Sequence, residues 1–364
     1  MRLTLLLLPL LAIASATAAE PAPAYPLWDG VESVADYAKR VNLPPTKTLD
    51  LGNNVTLDLV LIPAGKFIMG SPEPEKPAAT VENAAILLVI GNVGFFSAVL
   101  ALVVALSRRR KFSFSLRWLL LFTASCGAIL GGFIRLHIAR EQGTRYAAAM
   151  AIYEKLPANE KPGHLVTLTK PFYMGKHPVT SAQYRALLAD DIAWNSVKIC
   201  FTDYRKRNPR NGITLKQFLA AQLPVEHVSW DDAMDFCKQL NRQFRSQNFD
   251  ASLPTEAQWE FACRADSTFE LCEMRRSVAQ WCLDYYSDDY KDSASIDPVN
   301  EKSTYSFWQG GSLLNGPRGR VTRGGIIWEL DPNTSRASFR SVQQNRSAAF
   351  IGFRIVVAAP TLNP

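Results

Sequence analysis

Histidine is scarce in this chain: four residues in 364, at positions 137, 164, 177 and 227. No two of them stand in H-x-x-x-H or H-E-x-x-H spacing, which excludes the usual helix-borne zinc site. Neither a G-x-S-x-G elbow nor a phosphate-binding glycine loop occurs, so the common hydrolase and nucleotide-binding signatures are absent. Cysteine is also sparse, six in all, and none follows Cys282. Whatever the C-terminal segment does, it does without a thiol. Charge is missing from Ala84 to Leu106, and again from Trp118 to Ile134.

Those two uncharged stretches approach or fall within the roughly 17 to 25 apolar residues that a bilayer core requires of a helix. A soluble helix rarely stays apolar on every face for that length. The connector holds Arg108, Arg109, Arg110, Lys111 and Arg117, and such a basic loop is expected in the cytoplasm. Gly127 and Gly131 form a small-xxx-small pair suited to close helix packing. At the N-terminus, Arg2 precedes an apolar run from Leu3 to Ala14 and then small residues up to Ala19. That layout reads as a secretory signal peptide cut after Ala18 or Ala19. The expected localisation is a membrane protein with two spans, its main domain extracytoplasmic and the lipid bilayer its first partner. The net charge of +7 and pI near 9.1 then need no nucleic acid to explain them. A second basic run, from Arg205 to Arg210, reads as a solvated loop, with an acidic partner or lipid headgroups as the sharper alternative.

The expected organisation is a signal peptide at 1–19, a linker with a short helix at 20–48, and the first part of a globular domain at 49–82. A transmembrane hairpin follows at 83–140, with spans 84–106 and 118–134 and loop 107–117. A linker at 141–162 leads to the remainder of the domain at 163–358. Two spans return the chain to the side it left, so the domain can close around the insertion. Residues 57–71 and 164–188 carry strand-like patterns on either side of it. Thr180 with Gln183 predicts a capping box at the start of a helix.

Six motifs stand in order along the two parts: Ile62 to Ser71; Pro171 to Lys176 with Pro178-Val179-Thr180; Pro224-Val225 with Val228-Ser229-Trp230 and Ala233; Leu253 to Ala262; Arg323-Gly324-Gly325; and Gly352-Phe353-Arg354. Together they resemble the formylglycine-generating enzyme family, the sulfatase-modifying factor domain. The resemblance implies an α+β fold, irregular and related to C-type lectins, here interrupted by the hairpin. Trp230 and Trp259 are expected as core anchors with hydrogen-bonded indoles. Arg323, Arg336 and Arg354 are expected to brace loops through carboxylates and carbonyls.

The same resemblance implies copper and calcium. In the family, two cysteines shortly after the R-G-G motif hold Cu(I), a soft ion that selects sulfur. Here those positions fall on Glu329 and Thr334, and no later cysteine can substitute. The family's calcium motif matches Leu271 to Cys282, but Arg276 and Ser277 replace a glycine and an asparagine, and Gln280 replaces an acid. A hard dication wants the negative charge that is missing, and the stretch that would carry other ligands is shortened between Phe269 and Leu271. No cofactor is therefore expected. Family partners for Cys237 and Cys263 are absent too, leaving either a Cys237–Cys263 disulfide or buried free thiols. The paired acids Asp231-Asp232 and Asp288-Asp289 read as solvated.

The function expected from these departures is a non-catalytic binding or scaffolding module, with an extracytoplasmic protein or glycan as partner. Trp328, Glu329, Arg336 and Arg340 are the candidate groove residues. An oxidase with relocated thiols, for instance Cys272 and Cys282, and a purely structural membrane anchor are the alternatives.

Overall fold

The computed structural model describes residues 25–76, 97, 104, 116–188, 191–247, 249–288, 290, 294–302, 306–309, 312–315, 319–326, 336–344 and 348–360. The signal peptide and nearly all of the first expected span lie outside them.

The run Thr56–Ile62 forms β2, which pairs antiparallel with β1 (Thr46–Asp50) and with β5 (Phe172–Gly175). Strands β15 (Val356–Ala358) and β6 (Ala251–Ser252) complete a five-stranded sheet in the order β1-β2-β5-β15-β6. Both faces of this sheet are covered. Successive strand residues point to opposite faces, so Leu57, Leu59, Leu61 and Tyr173 enter one core while Val60, Ile62, Phe172 and Met174 enter another. This is why the run reads as almost continuously apolar rather than alternating.

A four-stranded sheet, β13-β11-β8-β14, holds the C-terminal motifs. Its strands are β8 (Ala279–Tyr285), β11 (Gly319–Arg323), β13 (Arg340–Gln344) and β14 (Ile351–Phe353). Strand β14 lies parallel to β8, and a Cβ added at Gly352 would stand 2.4 Å from the carbonyl oxygen of Val225. Gly324 adopts φ +82, and a Cβ there would meet the Met274 carbonyl oxygen at 2.8 Å. The glycines of the R-G-G and G-F-R motifs are thus required by backbone approach and by a left-handed turn.

Strand β3 (Gly65–Met69), before the interruption, pairs along its full length with β4 (His164–Leu168), after it. Among the described residues between them is a 40-residue helix, α2 (Leu116–Lys155); α1 (Val34–Arg40) precedes both strands. Here the expectations need correcting. The helix that carries the second expected span continues past Ile134, and 141–155 is helix rather than linker. Beyond Ile134 the helix is polar and supported along its exposed face, with Glu141 3.6 Å from His137 and 3.5 Å from Arg145, each one turn away. Among the described residues no helix is long and apolar enough to cross a membrane, so the expected hairpin is not found as an element of the described structure.

The remaining helices are α3 (Ser181–Leu187), α4 (Asp191–Arg207), α5 (Leu215–Ala220), α6 (Trp230–Gln243) and α7 (Glu256–Arg264). Thr180 and Gln183 form the capping box, with equivalents at Thr214/Gln217, Ser229/Asp232 and Thr255/Gln258. Arg205, Lys206 and Arg207 are the last turn of α4, not a loop. Cations there complement the carbonyl end of the helix dipole.

Candidate functional site

The cap at Thr255 starts α7 so that Glu256 and Glu260, one turn apart, share a face. That face meets the end of β11. The Arg323 guanidinium is fully buried between the two acids, with Nη2 2.9 Å from Glu256 and 2.8 Å from Glu260. It also donates to the carbonyl oxygens of Ala337 at 3.0 Å and Phe339 at 3.3 Å, and to the Tyr290 hydroxyl at 3.3 Å. Burial works against the charge on Arg323, but Glu256, Tyr290 and Glu260 carry its pKa well above the ordinary value.

Arg340 takes the other side of Glu256 as a two-pronged fork, at 2.6 and 2.8 Å. Its guanidinium lies 4.7 Å from the Tyr286 ring centre and 4.5 Å from that of Tyr290. Glu260 accepts from the Gly70 amide at 2.9 Å and from Arg264 Nε at 3.0 Å. Glu160, in a 3-10 turn at Ala158–Glu160, accepts from Arg336 at 2.7 Å and from the Ser338 hydroxyl at 2.9 Å. Ser71 donates onward to Ser338 at 3.1 Å. Segments far apart in sequence thus converge on one network of three carboxylates and four guanidinium groups.

Asp284 lies at the edge of this network, accepting from the amides of Glu256 at 2.6 Å and Asn300 at 2.8 Å. Burial, reinforced by the neighbouring Glu256, pushes its pKa up to about 7. His164 packs against Tyr290 at 4.7 Å, and neither of its ring nitrogens has a hydrogen-bond partner. Burial lowers its pKa.

Of the expected groove residues, Trp328 and Glu329 lie outside the described residues, as does Thr334. Arg336 and Arg340 do not offer free guanidinium groups to a groove. They are turned onto Glu160 and Glu256, because a buried carboxylate needs a cation more than an exposed surface does. Glu160, Glu256, Glu260, Ser338 and Tyr290 carry the network without having been singled out in the sequence. For Glu256 and Glu260 the available signal was their one-turn spacing; Glu160 sits where a linker was expected and gave none.

At the family's calcium position, the Gln280 amide is committed to the protein. Its oxygen accepts from Trp259 Nε1 at 2.9 Å and Arg354 Nε at 3.2 Å, while its nitrogen donates to the Glu273 carbonyl at 3.1 Å. The Ser277 hydroxyl bonds the Glu273 carboxylate at 3.2 Å. Arg354 has no carboxylate; it bonds the carbonyls of Gly175 and Cys272, and burial pushes its pKa down to about 10. Trp230 is half-buried and donates to the Cys282 carbonyl at 2.9 Å. An amide already holding two donors does not fit a calcium ligand.

Cys200, Cys237, Cys263, Cys272 and Cys282 are free thiols. Cys237 belongs to one core and Cys263 to the other, so no disulfide joins them. Burial pushes Cys200 and Cys237 up to about 12 and Cys263 up to about 11, and carries Cys282 well above its ordinary value. The thiolate is the form that binds soft metal or attacks. Among the described residues no group of three or more His, Cys, Asp or Glu side chains has the arrangement of a metal site. The thiols present do not fit a Cu(I) centre.

Residues 129–270 match the family model of the sulfatase-modifying factor enzyme 1-like domain. The serine/threonine-protein kinase Pkn1 of Chlamydia trachomatis serovar L2 is 25% identical, the match covering 50% of this chain and 32% of that protein. The chain thus spans about a third of the length of the curated relative it matches. Among solved structures, PvdO from Pseudomonas aeruginosa is 15% identical with a TM-score of 0.46, covering 87% of this chain and 99% of its own. Treponema denticola variable protein 1 is 14% identical with a TM-score of 0.43, covering 87% and 100%. The sulfatase-modifying factor resemblance read from the sequence is thus met by a family model over residues 129–270.

Proposed function

We propose that the domain is a non-catalytic member of its family and works as a binding or scaffolding module for an extracytoplasmic protein or glycan. The observation that carries this reading is the state of the thiols. Cys200, Cys237, Cys263 and Cys282 are buried with their ionisation suppressed, and the sequence has no cysteine after Cys282. Meanwhile the arginine and carboxylate network that shapes the interior is intact. A scaffold kept in order without its soft-metal ligands supports binding rather than oxidation. The extracytoplasmic, membrane-associated setting belongs to the same proposal and rests on the apolar runs 84–106 and 118–134 and the N-terminal segment of the sequence.

The relocated-thiol oxidase finds less support. Cys282 is fully buried in β8, and only Cys272 of that pair is partly exposed. The deciding experiment incubates the detergent-solubilised full chain with Cu(I), oxygen and a Cys-x-Pro-x-Arg peptide, then reads peptide mass. No aldehyde is expected. Aldehyde that disappears in Cys272→Ser/Cys282→Ser would refute the non-catalytic reading and restore the oxidase. Saturable binding to an arrayed glycan or purified partner would separate the binding module from a purely structural anchor.

A further inference from the structure

The C-terminal half of α4 presents a cationic face that the core does not use. Its inner side buries Val197 and Cys200 and half-buries Phe201 and Tyr204. At about 100° per residue, Lys198, Ile199, Thr202, Arg205 and Lys206 fall together on the opposite side, and all five are exposed. Among the described residues, Lys198, Arg205 and Arg210 just beyond the helix have no carboxylate within ion-pair distance; Lys198 lies 5.6 Å from the Trp194 ring centre and Arg205 5.7 Å from that of Phe201. The acids nearby are already engaged: Asp203 with Lys206 and His227, Glu226 with Arg207. Ile199 is 47% exposed in the middle of this face. At its upper end Trp194 is half-buried, with the Arg185 guanidinium 3.7 Å above its ring.

We propose that this face is a docking surface for an anionic lipid bilayer. Exposed cations, three of them without an acid partner among the described residues, set around an exposed isoleucine suit phosphate headgroups above an apolar layer. An indole capped by arginine suits the boundary between them. A nucleic acid would satisfy the charges but would not call for the isoleucine. The inference is independent of whether the domain is catalytic.

The test is flotation of the full chain with phosphatidylcholine vesicles, with and without an equimolar share of phosphatidylglycerol. The readout is the ratio of the two, so any charge-independent attachment cancels. The ratio should exceed one at low salt and fall as salt rises. Lys198→Gln/Arg205→Gln/Arg210→Gln should lower it, roughly fivefold for each cation removed. Ile199→Ser should weaken binding while leaving its salt dependence intact. Arg242→Gln/Arg245→Gln, which removes charge elsewhere on the surface, should leave the ratio unchanged. A triple variant that keeps the native ratio, or a control that loses as much, overturns the proposal. So does tight binding to duplex DNA with no anionic-vesicle increment.

Discussion

Replacing Arg323 by methionine tests whether the ion network holds the domain together. Methionine keeps much of the side-chain volume and removes the guanidinium. The acids it leaves behind are not orphaned equally. Glu256 retains both bonds from Arg340, and Glu260 retains Arg264 and the Gly70 amide. The carbonyls of Ala337 and Phe339 lose a buried donor each, at about 1–3 kcal/mol apiece. Breaking a buried ion network by removing one partner costs about 3–5 kcal/mol, and the two routes to the figure agree. Against a typical stability of about 5–15 kcal/mol, the variant should be folded but marginal. Urea unfolding of the purified full chain, followed by tryptophan fluorescence, should show that loss. The Arg323→Met/Glu260→Gln double variant should fall short of the sum of the single losses by about 1–3 kcal/mol, since the two residues share a bond. A single-variant loss under about 1 kcal/mol, with strict additivity, would refute the assignment and make the arginine a bystander.

Two other substitutions follow the same geometry. Gly352→Ala places a Cβ 2.4 Å from the Val225 carbonyl oxygen and 3.0 Å from Val278, so thermal unfolding should report a loss of about 1–3 kcal/mol or more. Gly212→Ala, with nothing within 4 Å, should stay within about 0.5 kcal/mol of the parent. Burial lifts Asp284 to about 7 in the folded protein, well above the ordinary aspartate value, so the native state holds a proton that the unfolded chain has released. That site's contribution is full below the unfolded value and is lost as pH rises through the folded one. Asp284→Asn cannot titrate. The stability difference between parent and variant should therefore shift in the parent's favour as pH falls from about 8 to about 5, by a few kcal/mol. The lowered pKa of His164 acts in the opposite direction in both proteins and cancels in the difference. A difference that is flat, or that favours the variant in acid, would contradict the burial argument.

Some of this was legible in the sequence because local chemistry carries it. The Thr180 capping box needs only its own four residues. The motif glycines Gly324 and Gly352 were legible as motif members, but the positive φ and the close approach that require them show only in the fold. The pairing of β3 with β4 across the interruption follows from strand patterns on either side of it. The network was half legible: Arg323 and Arg336 were expected to brace loops, and they do bind carboxylates. Their partners were not, because Glu160, Glu256 and Glu260 look like ordinary surface acids until the fold removes water from them. For the same reason Arg336 and Arg340 were read as groove residues. A guanidinium reads the same in sequence whether it faces solvent or a buried carboxylate. The extent of α2 was missed because the polar stretch from 141 onward was taken as a linker. Charged residues at one-turn spacing instead continue it.

The motifs that identify this family turn out to specify architecture more than reaction. Arg323 meets two acids from the Leu253 to Ala262 motif, Gly70 of the opening motif binds one of those acids, and Arg354 closes on the Gln280 amide. Every one of these contacts is complete without a metal or a thiol. The chemistry expected of the family depends on a few soft or anionic ligands that no motif bond requires, so they can change while the scaffold persists. At Gln280 the change is visible in the bonding itself. An acid there would oppose the Trp259 and Arg354 donors with two acceptor oxygens and leave the Glu273 carbonyl free to face a cation. The amide keeps those two donors and, through its nitrogen, takes that carbonyl as well. The amide makes position 280 an internal hydrogen-bond junction, joining Trp259, Arg354 and the Glu273 carbonyl.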